Sequence, residues 1–116
     1  MEEELEYSFN DEVVSKFCYD MDNNKIEVYF TGYTDLMKGV RLLDTPCKLI
    51  IEGWSEGRSR LGDEERLYPL NKYMGVFSMI LSMKKSTNKL ELIINNIDNV
   101  YVTYVFINPK MSLEIW

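Results

Sequence analysis

The sequence predicts a mainly β fold, an antiparallel meander of about six to seven strands forming a sandwich or half-barrel, with little helix. Three observations predict it. Apolar residues alternate with polar ones in several short runs, the period of a half-buried strand. Clusters of Asp, Asn, Gly and Pro separate these runs. No long stretch sustains the period of an amphipathic helix.

Residues 1–10 are acidic and are expected to be loose, with Leu5, Tyr7 and Phe9 tucking onto the domain at strand spacing. From Val13 a strand begins, with Val13, Phe17 and Tyr19 on one parity and Val14 and Cys18 on the other. It ends in Asp20-Met21-Asp22-Asn23-Asn24, a run of turn formers. Ile26, Val28 and Phe30 then alternate with Glu27, Tyr29 and Thr31, so the two runs read as a hairpin. The segment from Gly32 to Pro46 is irregular and reads as loop. Cys47, Leu49 and Ile51 alternate with Lys48, Ile50, Glu52 and Trp54 in the next strand.

Residues 55–70 form a charged, Gly-punctuated break, long for a connection in a compact domain; such loops are either functional or disordered. Residues 72–85 fit two patterns. Tyr73, Val76, Phe77 and Ile80 suit a helix, whereas Phe77, Met79, Leu81 and Met83 suit a strand. The segments that follow favour the strand. Runs at 89–94 and 100–107 alternate cleanly around a turn at Asn95–Asn99, and a strand at 74–84 completes the meander. After Pro109, Met111, Leu113 and Ile115 predict a terminal edge strand.

The chain has 116 residues, of which 46% are apolar and 28% charged. These values fit one domain, 1–116, with a single core, and exclude a disordered chain. No apolar run approaches the length of a membrane span. The start, Met1-Glu2-Glu3-Glu4-Leu5, is acidic and unlike a signal peptide, so a cytoplasmic protein is expected. The formal charge of −6 disfavours nucleic acid and anionic membranes and favours a basic partner, although such a charge also serves solubility alone.

The chain contains no histidine. This removes the commonest general base and transition-metal ligand, and every triad that depends on one. The two cysteines, Cys18 and Cys47, are too few for a disulfide framework and form no CxxC pair; each reads as a small buried hydrophobe. Carboxylates that could serve acid–base chemistry occur at Asp20 with Asp22 and at Asp63 with Glu64 and Glu65. The first pair suits a hairpin turn and the second set a solvated loop, which outweighs catalysis at both. The Asp20–Asn24 run lacks the glycine and glutamate of a calcium loop, and Gly53, Gly57 and Gly62 make no phosphate-binding motif. No enzyme, cofactor or metal site is expected. Eight Tyr, five Phe and two Trp are a heavy aromatic load. Tyr29, Tyr33, Trp54 and Tyr101 fall on the more polar parity of their segments. Core packing explains this most simply, and an interface is the competing reading.

The opening hairpin carries a resemblance. Phe9-Asn10-Asp11-Glu12-Val13-Val14, then Phe17-Cys18-Tyr19-Asp20, a turn, and Ile26-Glu27-Val28-Tyr29-Phe30-Thr31-Gly32-Tyr33 resemble the start of small bacterial immunity-type proteins of polymorphic-toxin and contact-dependent inhibition systems. Asn10 stands where that pattern usually has histidine. The resemblance implies a non-catalytic inhibitor that binds its cognate toxin, often a nuclease, and covers its active or binding surface. It supplies no shared functional residues. From exposed acids and interleaved aromatics, the expected partner contacts are Asp35, Glu52, Trp54, Glu56, Asp63, Glu64 and Glu65. The alternative is a generic binding module that self-associates, as a homodimer, through the strand edge at 111–115.

Overall fold

The computed structural model describes residues 2–3, 5–62 and 64–115. Thirteen strands are present among them: β1 (Glu2–Glu3), β2 (Tyr7–Ser8), β3 (Val14–Asp20), β4 (Lys25–Phe30), β5 (Tyr33–Asp35), β6 (Val40–Leu42), β7 (Cys47–Glu52), β8 (Glu56–Leu61), β9 (Tyr68–Pro69), β10 (Phe77–Ser86), β11 (Lys89–Asn96), β12 (Tyr101–Ile107) and β13 (Lys110–Ile115). Their only helical company is one 3₁₀ turn at Leu70–Lys72. The fold is mainly β and sandwich-like, and every strand pairing is antiparallel.

Three sheets form. A six-stranded sheet has the order β1-β10-β11-β12-β8-β9, a four-stranded sheet β13-β7-β4-β3, and a small third sheet β2-β5-β6. The two larger sheets share a corner, because β7 passes into β8 through Gly53–Ser55 and β12 passes into β13 through Asn108. On the other side β10 crosses the four-stranded sheet. Its Met79 bridges to Val13 beside β3, and its Lys85 shares a groove with Met111–Leu113 of β13, the opposite edge.

Between the sheets lies one cluster of apolar side chains. Ile26, Val28 and Phe30 of β4 and Leu49 and Ile51 of β7 face Leu90, Leu92 and Ile94 of β11 and Val102, Tyr104 and Phe106 of β12. Each is essentially removed from water, a contribution of roughly 1.5–3 kcal/mol per large side chain. Tyr104 brings a hydroxyl into this core and donates it to the carbonyl of Tyr73 at 2.8 Å. Burial pushes its pKa up to about 12.

Three local expectations change, and one is met. Residues 55–70 are not one long break: 56–61 form β8, paired along its length with β12. The strand escapes a hydrophobicity pattern because its inward positions are Gly57, Ser59 and Leu61. Gly57 gives room to Leu70 and Trp54, and the buried Ser59 hydroxyl is satisfied by the carbonyl of Pro69 at 3.0 Å. The loop expected from Gly32 to Pro46 contains the short hairpin β5–β6. Leu5, Tyr7 and Phe9 tuck onto the domain as expected: Leu5 and Tyr7 pack against the core, and Phe9 is fully buried and stacks on Phe30 with ring centroids 4.4 Å apart. Trp54 does not continue the outward parity of β7. Gly53 takes φ +68, the strand direction breaks, and Trp54 turns inward to 5% exposure against Phe106.

Residues 77–86 are strand, as preferred over helix. Both cysteines are free thiols; Cys47 faces the core, and burial raises its pKa to about 11.

Candidate protein-binding surface

The two large sheets treat their outer faces differently. On the four-stranded sheet, strand register sets charges against one another. Asp20, Lys25, Glu52 and Lys110 form one transverse row of alternating sign. Glu27 lies at the centre of the network. It accepts a hydrogen bond from Lys48 Nζ at 2.7 Å and lies 3.8 Å from Lys25 Nζ, while Lys48 also reaches Glu114 at 3.5 Å. The hydrogen bond from Lys48 holds the Glu27 carboxyl below its usual range despite partial burial. The same bond raises the Lys48 ammonium. Tyr29 lies between Lys16 and Lys48, whose ammonium groups sit 5.1 and 5.5 Å from its ring centre. This face satisfies itself.

The six-stranded sheet does not. Its outward rows, read across β10, β11, β12 and β8, are Lys84–Glu91–Val105–Arg58 and Ser82–Ile93–Thr103–Arg60, followed by Asn95–Tyr101 on β11 and β12. Leu81 joins them at an irregularity in the β10 register. A groove of about 570 Å³ runs here, lined by Arg60, Gly62, Leu81, Ile93, Tyr101 and Thr103. Tyr101 is 57% exposed. Beside it the β11–β12 turn exposes Ile97 and Val100, and a backbone hydrogen bond from Ile97 to Val76 adds a third exposed aliphatic group. Contiguous apolar exposure of this kind marks an interaction site more often than isolated surface residues do.

Two polar atoms sharpen the picture. Arg60 Nε and Asn95 Oδ1 are shut off from solvent and have no hydrogen-bond partner among the described residues. A buried polar group left in this state costs about 1–3 kcal/mol. Asn95 spends its amide on Asn99 Oδ1 at 2.9 Å, so its carbonyl still requires a donor. Among the described residues Arg60 makes no ion pair, whereas Arg58 is held by Glu56 at 2.7 Å.

The residues expected to contact a partner are dispersed. Asp35 ends β5 and accepts hydrogen bonds from the backbone N–H groups of Met37 and Lys38, a turn-forming role. Glu52 belongs to the charge network of the four-stranded sheet and lies 3.9 Å from Lys25. Trp54 is core and offers a partner no open face. Glu56 pairs with Arg58, and Asp63 lies outside the described residues. Glu64 and Glu65 are exposed and are not part of the groove lining. Of the aromatics on polar parity, only Tyr101 contributes to the groove. Leu81, Ile93, Thr103 and Arg60 were not anticipated. Ile93 carried a signal, as an isoleucine on the outward parity of a strand otherwise facing Lys89 and Glu91 outward.

A second surface runs along β13, the edge of the four-stranded sheet. There Leu5, Glu6, Tyr7, Lys85, Met111, Ser112 and Leu113 line a groove of about 530 Å³. Among the described residues no three His, Cys, Asp or Glu side chains gather as metal ligands, and no helix is long and apolar enough to cross a membrane.

No family model, curated protein or solved structure matches this chain.

Proposed function

We propose that this chain is a non-catalytic binding protein that neutralises a cognate bacterial toxin, acting as an immunity protein in the cytoplasm. The observation that supports this reading is the outer face of the six-stranded sheet, where an apolar groove with an exposed tyrosine is also lined by Arg60, whose Nε has no partner among the described residues. Tyr and Arg are the residue types that anchor protein interfaces. The net charge of −6 suits steering of a basic toxin domain such as a nuclease. Covering that toxin's active or nucleic-acid-binding surface is the inhibitory act.

The test is co-expression with the C-terminal domain of a large secreted toxin encoded directly upstream. A 1:1 complex that protects cells, lost in Tyr101→Ala and Ile93→Asp variants that remain folded, is the expected result. A toxin that neither binds nor is neutralised overturns the proposal. The groove along the edge of β13 favours a second reading, self-association by strand addition. Sedimentation of the purified chain decides it: a homodimer disrupted by Ser112→Lys supports this reading, and a monomer at all concentrations excludes it.

A further inference from the structure

The outward positions of β8 and β10–β12 carry Arg58, Arg60, Lys84 and Lys89 against Glu56 and Glu91. This face is therefore locally basic on a chain of net charge −6. Among the described residues Arg60, at the wall of the apolar groove, makes no ion pair, and its enclosed Nε has no partner. A guanidinium presents several N–H donors in a fixed fork, and the acceptor that fits them best is a carboxylate. Leu81, Ile93 and the ring of Tyr101 lie in the same groove and require an apolar group.

We infer that the groove receives an acidic–apolar segment of a partner protein, with a carboxylate seated on Arg60 and the neighbouring apolar side chain on Leu81, Ile93 and Tyr101. The inference rests on the reading of this face as a protein-binding surface; it does not rest on the partner being a toxin. A nucleic-acid strand fits less well. The groove offers one exposed ring beside aliphatic groups, in place of a row of stacking platforms. Long-range and contact electrostatics then have opposite signs. The acidic body attracts a basic domain from a distance, and the basic face grips an acidic feature upon it.

The test uses NMR on the isotope-labelled full chain and three capped peptides, acetyl-Leu-Glu-Phe-amide and its Gln and Lys counterparts. The Glu peptide is expected to shift the Arg60 Nε–Hε signal together with Ile93, Tyr101 and Thr103. The Gln peptide should bind about tenfold more weakly, the size of one charge-assisted contact, and the Lys peptide should leave the signals in place. Arg60→Gln should erase the preference for Glu over Gln. Tyr101→Ala should weaken both peptides alike, and dispersed spectra of the variants establish that they are folded.

Equal response to the three peptides, no response to any, or shifts confined to another surface overturns the inference. So do displacement of the same signals by a short oligouridylate, and dilution-dependent shifts of those signals without peptide, which would mean that a second copy occupies the groove. Peptide selectivity without toxin neutralisation removes the toxin reading and leaves this inference standing. Neutralisation that survives Arg60→Gln with unchanged affinity does the reverse.

Discussion

Glu27 and Lys48 set the pH response of the four-stranded sheet. The Glu27 carboxyl is held below the 4.5 of an unperturbed glutamate. Its contribution to stability is therefore complete above that value and lost as pH falls through the lower folded-state pKa. The Lys48 ammonium is raised above 10.5, so its contribution is complete below that pH and lost on the alkaline side. Glu27→Gln should flatten the acid limb of the stability profile, measured by urea unfolding from neutral to acid pH, and a mutant profile parallel to wild type would contradict it. A second residue-scale prediction concerns Gly57. A methyl group there would sit 2.9 Å from a Leu70 methyl and 3.2 Å from Trp54 Nε1. Gly57→Ala should destabilise by about 1–3 kcal/mol, the usual cost of overpacking, in thermal or urea denaturation.

At the scale of elements, β10 explains why sequence reasoning wavered between helix and strand. Its register with β11 shifts twice, between Phe77 and Met79 and between Ile80 and Ser82. Each shift adds a residue, and the buried positions become Phe77, Ile80 and Met83. A spacing of three imitates a helical stripe although the backbone is extended. A shift between Val14 and Lys16 likewise brings Val14 to the core side with Phe17 and Tyr19, across the parities read from sequence. Regular strands were readable because nothing interrupts their period: β4 and β11 show strict alternation of burial. Their hairpin turns were readable through Asn24 and Asn99, which take positive φ. The strand β8 was not, since glycine and serine at inward positions erase the contrast on which pattern reading depends. The groove was less visible still, because Arg60, Leu81, Ile93 and Tyr101 come from four different strands and meet only through register. Asn108 offers a test of turn chemistry. It joins β12 to β13 with φ 54 and donates its N–H to Asn88. Asn108→Val should cost about 1–2 kcal/mol, whereas Asn108→Gly should be nearly neutral, because β-branched residues resist the left-handed region.

Across the whole molecule, one apolar cluster gathers residues from all three sheets or the segments joining them. Phe9 is central to this continuity. It stacks on Phe30 and contacts Tyr33 of the small sheet at a centroid distance of 6.2 Å. Phe9→Ala should cost about 3–5 kcal/mol, as large aromatic truncations in a core do. The loss should appear in a single unfolding transition by both circular dichroism and Trp fluorescence. Separation of the two probes would show that the N-terminal segment and small sheet unfold independently.

The edges of the sheets also bear on polymerisation. In the six-stranded sheet one edge is β1, two residues long, and the other is β9, two residues ending in Pro69. In the four-stranded sheet β3 is irregular near its start and lies against β10 through the Val13–Met79 bridge. Short, proline-bearing or irregular edges resist templating by another chain. The margin of β10 beyond β1 is interrupted by two register shifts and is met near Met79 and Ile80 by Val13 and Asp11, whereas β13 is a regular six-residue edge. If two copies met antiparallel along it, each would consume the other's open side, and the contact would close on itself by two-fold symmetry. Further edge-to-edge addition would then have to use the irregular margins of β10 or β3, so a closed pair is favoured over a fibre.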